Sequence, residues 1–409
     1  MAATLFETTA DLRSAALQRA GEVTDGTSDY HSIALEQMNN LYRSLYAGGL
    51  EFDVTLGEVW DWAKAPSPGL LKLEPALEAG TVSLTLDSTS GTLSSAPAAA
   101  LGSLNGWFLY ITNESIVYRI SAHTAGATAI TLDQAYMGAT GATKAYRLVK
   151  LDYELTADQI ERLVQTMRAF TLTGNDNKPH EIAGIDAAAL DRNYPLVTFR
   201  EGIPTSYAQI ANANGTITVR FNSCPADATR VEYEYIPVAP GLVVQTFLDA
   251  AVSAGSDYIS ITDHGFSDGQ QVRLSSTGSL PGALDASVTY WVVQSTSSLI
   301  YLSLTRGGSL FNITGTAGSG THTISVVPTI PHSFRKVLFY AAAHFIAVDK
   351  SDSRSDYYFR VTQATLQAMV QAQRRAKTNA SKNKGVLLTR QDSKASRSSL
   401  FDRIPWGTT

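Results

Sequence analysis

Apolar and polar positions change period several times along this chain. Leu5, Leu12, Ala16, Leu17 and Ala20 recur on one helical face, and Gly21 stops the run. After the turn Asp25-Gly26-Thr27-Ser28, with Ser28 or Asp29 as cap, a second stripe runs through Ile33, Leu35, Met38, Leu41, Tyr42, Leu45 and Tyr46 to Gly48-Gly49. Together these predict an αα-hairpin. From Gly69 to Val149 the period falls to two, at Val82, Leu84 and Leu86, at Phe108 and Tyr110, at Tyr118 and Ile120, at Ile130 and Leu132, and at Tyr146 and Leu148. With Gly, Ser and Thr between the runs, this predicts a small barrel or sandwich of about five or six strands.

A helix from Gln159 to Phe170, opened by Thr156 or Asp158, is expected next. Strands follow at Tyr194–Phe199, Thr216–Phe221 and Arg230–Tyr235, the last alternating Val231, Tyr233 and Tyr235 with Arg230, Glu232 and Glu234. A second β module is expected between about Val243 and Val327, with strands near 258–261, 271–274, 289–293, 300–304 and 322–326. It sits where a surface loop would otherwise join a strand to a helix, a place that tolerates inserted domains. An apolar helix over His332–Val348, a polar loop over Asp349–Asp356 and a helix over Tyr357–Arg375 close the pattern.

The 409 residues exceed what one core usually serves, so two or three compact units are expected. One cysteine, Cys224, leaves no disulfide framework or cysteine zinc cluster to expect. No basic-then-apolar leader opens the chain, and the longest apolar run, Val337 to Val348, is short of the roughly 20 residues a membrane span needs. A soluble protein without membrane partners, made in a reducing cytoplasm, is the expectation.

Charge divides the chain unequally. From Gln371 to Thr409, Arg374, Arg375, Lys377, Lys382, Lys384, Arg390, Lys394, Arg397 and Arg403 stand against Asp392 and Asp402, a local balance of +7 within a net charge of −5. The remainder therefore carries −12. This end has too few apolar residues to fold alone, yet Leu400, Phe401, Ile404 and Trp406 are the anchors a peptide uses in a partner's groove. It reads as a solvated end, a nucleic-acid contact, or a segment that docks to a protein ring. The apolar anchors favour the last, since phosphate neutralisation does not require them.

Catalytic chemistry finds little support. His31, His123, His180, His264, His322, His332 and His344 show no metal-ligand spacing. Gly138 to Lys144 lacks the spacing of a phosphate loop and precedes a strand. Asp263-His264-Gly265-Phe266 reads as a turn, with Gly265 at positive φ and Phe266 plugging the core. Glu51, Asp53, Glu58 and Asp61 near Trp60 and Trp62 are the one set of carboxylates on which acid–base work on sugars could rest; a hydrated linker is the plainer reading. No catalytic, metal-binding or cofactor-binding residue is assigned.

The order of elements resembles the head-to-tail adaptor, or neck, proteins of tailed bacteriophages. The likeness is carried by Leu12 to Gly21 and Leu45-Tyr46-Ala47-Gly48-Gly49. In the β segment it rests on Val117-Tyr118-Arg119-Ile120, Ile130-Thr131-Leu132-Asp133 and Ala145-Tyr146-Arg147-Leu148, leading into Leu151 to Leu155. Val231 to Tyr235 with Pro237 is similar to the late strand, and Ile330 to Phe334, Leu338 to Ala343 and the loop 349–356 to the closing helices. Ile259 to Phe266, Leu280-Pro281-Gly282 with Tyr290 to Val293, and Gly318 to Ile324 are similar to a β module inserted in phage structural proteins.

The resemblance implies an α+β fold: an α-helical adaptor core (1–68, 151–242 and 328–376), an embedded small β barrel or sandwich (69–150), an inserted β-sandwich-like domain (243–327) and a disordered or extended basic tail (377–409). It implies a non-enzymatic homo-oligomeric ring, typically a dodecamer, at the capsid–tail junction of a virion assembled in the host cytoplasm. Its partners would be the portal protein, the next neck or tail protein, and genomic DNA sliding through the lumen without sequence-specific binding. The acidic body would repel phosphate there. Portal contact is assigned to Arg374, Arg375, Lys377, Leu400, Phe401, Arg403, Ile404 and Trp406. The alternative is a tail-tip or receptor-binding protein whose β modules hold glycans through Tyr290, Trp291 and Tyr301. A tail-associated glycan hydrolase would rest on the carboxylates alone.

Overall fold

The computed structural model describes residues 7–57, 60–78, 80–155, 160–171, 179–211, 216–314 and 317–376. Its contacts divide the chain into two compact units, Met1–Ala63 with Ala239–Thr409, and Lys64–Val238.

In the first unit, α1 (Thr9–Arg19) opens with a capping box: Asp11 N–H donates to Thr8 Oγ1 at 3.2 Å, and Thr8 N–H donates to the Asp11 carboxylate at 3.0 Å. It ends where the sequence says, at Gly21 (φ +74°), with Glu22 N–H on Leu17 O (2.8 Å) and Gly21 N–H on Gln18 O (3.2 Å). The second helix, α2 (Tyr30–Ala47), stops at left-handed Gly48 and buries Met38, Leu41, Tyr42, Leu45 and Tyr46. Strands β1 (Leu50–Glu51) and β2 (Val54–Thr55) make a hairpin whose turn residues, Phe52 and Asp53, both have positive φ.

The second unit begins with β3 (Gly69–Leu73). It continues through β4 (Thr81–Leu84), β5 (Ser90–Leu93), β6 (Phe108–Ile111), β7 (Val117–His123), β8 (Ala129–Leu132) and β9 (Gly141–Val149). Strands β4 to β9 close into an antiparallel barrel in the order β4-β5-β8-β7-β6-β9, filled by Val82, Leu84, Trp107, Leu109, Tyr118 and Leu148 among others. The period of two in this segment thus reports a barrel. A seven-stranded sheet completes the unit, built from β10 (Asp152–Glu154), β11 (Ile160–Thr171), β12 (His180–Ile185), β13 (Ser206–Ala211), β14 (Ile217–Phe221) and β15 (Thr229–Pro237), with β3 as its far edge. Between β12 and β13, α3 (Ala187–Asn193) starts at Asp186, whose side chain accepts from Ala188 N–H.

Here the structure overturns the expected α-helical core. Among the described residues the fold is mostly β, with five α-helices beside two seven-stranded sheets and a six-stranded barrel. Of the segment expected as a middle helix, Gln159 to Phe170, Gln159 lies outside the described residues and the rest belongs to the twelve-residue strand β11, paired to both β12 and β15. Its apolar residues Ile160, Leu163, Met167 and Phe170 have helical spacing for a local reason. Register breaks lie between Ile160 and Arg162 and between Leu163 and Met167, and the second sets three residues of β11 against one of β15. Bulges of this kind insert residues into a strand and convert a spacing of two into three or four. Beyond the bulge, alternation returns with Met167 and Ala169 fully buried.

Two smaller expectations also fail in this stretch. Tyr194 to Phe199 is a loop after α3, and its Leu196 and Phe199 pack against the cluster of Phe108, Val149, Leu151 and Cys224. Gly69 to Leu73 is apolar and extended but pairs with β15, outside the barrel.

The first unit resumes with β16 (Val244–Leu248), β17 (Val252–Ser253), β18 (Tyr258–Ser260), β19 (Gln271–Ser276), β20 (Tyr290–Val293), β21 (Leu299–Ser303) and β22 (Thr321–Val326). These form one antiparallel sheet in the order β16-β22-β19-β20-β21-β18-β17, so the expected sandwich of two sheets is replaced by continuous hydrogen bonding across seven strands. Ile259, Val272, Leu274, Val292, Ile300, Leu302 and Ile324 are buried on one face. Helices α4 (Lys336–Asp349) and α5 (355–376) follow. Ala341, Ala342, Ala343 and Ala347 are buried along α4, and small side chains there let α1 and α2 pack against it.

Candidate docking surface

The outer part of the helical layer carries an aromatic patch. His344 and Phe345 on α4, Phe359 on α5 and Phe52 from the hairpin turn stand together. Ring centroids lie 5.6 Å apart for Phe52–His344, 5.9 Å for Phe52–Phe345 and 5.4 Å for Phe52–Phe359, with His344–Phe359 at 5.5 Å. Centroids at these separations are typical of interacting aromatic pairs. The hairpin is tied to α2 by Ser44 Oγ donating to Glu51 Oε1 (2.6 Å), and Leu56 N–H on Gly49 O (2.8 Å) closes its base. His344 is oriented by a 3.0 Å contact between Nδ1 and the Ser355 carbonyl at the start of α5.

Phe52 takes φ +49° and Asp53 φ +59°. A bulky side chain in the left-handed region costs on the order of 1–3 kcal/mol and persists only where its surroundings hold it. Here the contacts of the Phe52 ring with α4 and α5 hold it. Phe345 is nevertheless 40% exposed, and Leu50 (67%), Val348 (53%) and Tyr357 (58%) are exposed on the same elements. Asp53 and Asp356 are exposed beside the patch and have no ion-pair partner among the described residues.

Helix α5 buries a stripe of Tyr358, Thr362, Thr365, Leu366, Met369, Val370 and Gln373, with Thr362 and Thr365 hydroxyls turned back onto the carbonyls of Tyr358 and Val361. Gln373 Nε2 donates to Asp61 at 3.1 Å. Arg374 and Arg375, two of the residues assigned to a partner, are exposed at the end of this helix. Lys377, Leu400, Phe401, Arg403, Ile404 and Trp406 lie outside the described residues.

The other candidates separate. Glu51 binds Ser44, Asp61 binds Gln373, and Glu58 lies outside the described residues; Trp60 is buried and stacks on Trp62 at 5.9 Å. Lys144 Nζ is held on Glu114 Oε1 at 2.8 Å, and Tyr136 donates to the same oxygen at 2.5 Å, so the Gly138–Lys144 lysine braces the barrel. His264 Nδ1 accepts from Phe266 N–H (2.9 Å) while Nε2 meets Thr296 O (2.7 Å), a turn held through both ring nitrogens, with Gly265 at φ +73° and Phe266 buried. Of the aromatics considered for glycans, Tyr290 is buried against Phe311, whereas Trp291 and Tyr301 are half-buried, Trp291 beside Arg306.

Among the described residues, no group of three or more His, Cys, Asp or Glu could hold a metal ion, and no helix is long and apolar enough to cross a membrane. No protein-family model matches the chain, and no curated protein matches it either. The aromatic patch was not foreseen from sequence, because Val337 to Val348 is apolar on every face of the helix. That excess over a single stripe was the available signal: a helix with one buried face does not need it.

Proposed function

We propose that this chain is a structural, non-catalytic virion protein of the head-to-tail adaptor kind, forming a ring between the portal and the next neck or tail component. The observation that carries the reading is the exposed apolar face of α4 and α5, on a helix that leads through Arg374 and Arg375 into a basic segment with aromatic anchors. Exposed apolar side chains gathered on neighbouring helices favour contact with protein. In this reading the helices of the first unit pack between neighbouring copies, and the segment 377–409 engages the portal. Repetition around the ring adds avidity to a weak peptide contact. The β-rich second unit and the sheet of the first then face capsid or tail partners, and the acidic body lines the path of DNA.

The test is electron microscopy of virions with this chain's density located. A ring at the capsid vertex is expected; density confined to the distal tail tip overturns the reading. One observation favours the second reading, a receptor-binding role: Trp291 is only half-buried, with the Arg306 guanidinium 5.8 Å from its ring centroid, a pairing of aromatic and polar donor that suits a sugar. Oligosaccharide binding that is lost in Trp291→Ala would support that reading.

A further inference from the structure

We propose that a groove along α1 receives the exposed face of α2 from a second copy of this chain. The inference deepens the ring reading and rests on it for closure of the ring, while the contact between two copies is a claim of its own.

The groove measures about 570 Å³ and is lined by Asp11, Ser14, Ala15 and Arg19 of α1 with Arg354 and Tyr358 at the start of α5. Ser14 and Ala15 are small, so another helix can come close. The two ends of the groove carry opposite charges. At one end the Asp11 carboxylate is fixed by the Thr8 N–H (3.0 Å) and hydroxyl (2.9 Å). Arg19 lies eight residues on, about 12 Å along the helix. Its guanidinium stands 4.9 Å and 5.0 Å from the ring centroids of Phe339 and Tyr340, and its Nε is buried without a hydrogen-bond partner. Arg354 is already paired with Asp352 at 2.6 Å and adds little net charge. Neither Asp11 nor Arg19 has an ion-pair partner among the described residues.

The outward face of α2 has the matching form. Ser32, Glu36, Asn40, Arg43 and Ala47 are exposed along it. Glu36 and Arg43, about 10 Å apart on the helix, also have no partner among the described residues. Laid antiparallel in the groove, α2 brings Arg43 to Asp11 and Glu36 to Arg19, and exposed Asp29 passes the end of α1 on the side of Arg354. Laid parallel, it opposes like charges, which costs several kcal/mol and selects the antiparallel fit. Pairing α1 with α1 across a two-fold axis would satisfy the same charges, but it sets groove against groove and leaves the space unfilled. Groove on one helix and convex face on another make a heterologous contact, which repeats from copy to copy and closes into a ring when the rotation allows.

Cysteine crosslinking of the full chain tests this. Cys224 is buried, so a cysteine placed at the surface reports alone. Ser14→Cys and Asn40→Cys are made in separate chains and treated with a short bis-maleimide. Each alone is expected to stay a single chain, and the mixture to give a dimer joined between positions 14 and 40. Adding Arg43→Glu to the Asn40→Cys chain should cut that yield at least about tenfold by like-charge opposition to Asp11. Adding Asp11→Lys to the Ser14→Cys chain should then restore it. A dimer from Ser14→Cys alone, none from the mixture, or a yield indifferent to Arg43→Glu overturns the proposal. A ring at the capsid vertex without this crosslink would overturn the contact and leave the ring reading; the crosslink in a chain confined to the distal tail tip would do the reverse.

Discussion

Thr9, in the first turn of α1, donates its hydroxyl to the main-chain carbonyl of Val326 at 2.8 Å, across 317 residues of sequence. Beside it, Ala10 N–H donates to Ser325 Oγ at 2.9 Å, Arg273 of β19 pairs with Glu7, and Arg335 donates to the Glu7 carbonyl at 2.8 Å. The seven-stranded sheet of the first unit is thereby fastened to the start of the chain. The pairing orders two elements that no local pattern connects.

Thr9→Val keeps the shape and removes the hydroxyl. With Thr9 and its partner buried, a loss of about 1–2 kcal/mol is expected, read as a lowered denaturation midpoint at unchanged slope. A midpoint equal to that of the parent protein would show the bond contributes nothing net.

Thr329, itself exposed, is the hub of a second network that joins the buried phenols of Tyr42 and Tyr46. Its hydroxyl lies 2.7 Å from Tyr42 OH and 2.9 Å from Tyr46 OH, and its N–H donates to Tyr42 OH at 3.2 Å. Thr329→Val withdraws the hydroxyl from both phenols, so it should cost about 1–2 kcal/mol, more than Tyr46→Phe, which removes one polar group cleanly. Urea unfolding of the two variants checks the ranking; the reverse order refutes it.

Burial pushes the Cys224 thiol up to about 12. A thiol that ionises less readily folded than unfolded adds stability that is present below the unfolded value near 9.0 and is lost as pH rises through the folded one. Near pH 9 the folded thiolate is about five-hundredfold scarcer than in the unfolded chain. Alkylation by iodoacetamide should accordingly be at least about a hundredfold slower in the native protein than in denaturant. Comparable rates would place Cys224 at the surface.

Asp53 occupies a left-handed turn position that glycine adopts freely. Asp53→Gly should stabilise the β1–β2 hairpin by about 0.5–1 kcal/mol, seen as a raised Tm; a lowered Tm would mean that the carboxylate contributes to the turn.

Gly69 has no room for a methyl group, since a Cβ would meet the Tyr233 ring at 2.2 Å. Gly69→Ala should therefore cost about 1–3 kcal/mol by overpacking and lower the thermal midpoint of the second unit. An unchanged midpoint would mean that the ring moves aside freely.

What the sequence by itself determined is local. Helix ends at Gly21 and Gly48, the alternation of the barrel strands and of β15, the turn at His264 and the charge imbalance of the last forty residues follow from residue type and spacing, because each depends on neighbours within a turn or a strand. Tertiary structure decided the rest. β11 reads as a helix until bulges against β15 explain its spacing; β3 is an apolar run whose partner lies about 160 residues away; and Phe52, Phe345 and Phe359 become one surface only when hairpin, α4 and α5 converge. The partner assignments at Arg374 and Arg375 rested on composition, which marks a segment as adhesive without saying to what. Pairing between distant segments is selected by the burial of whole faces and by the satisfaction of main-chain polar groups, quantities that exist only once the chain has closed on itself.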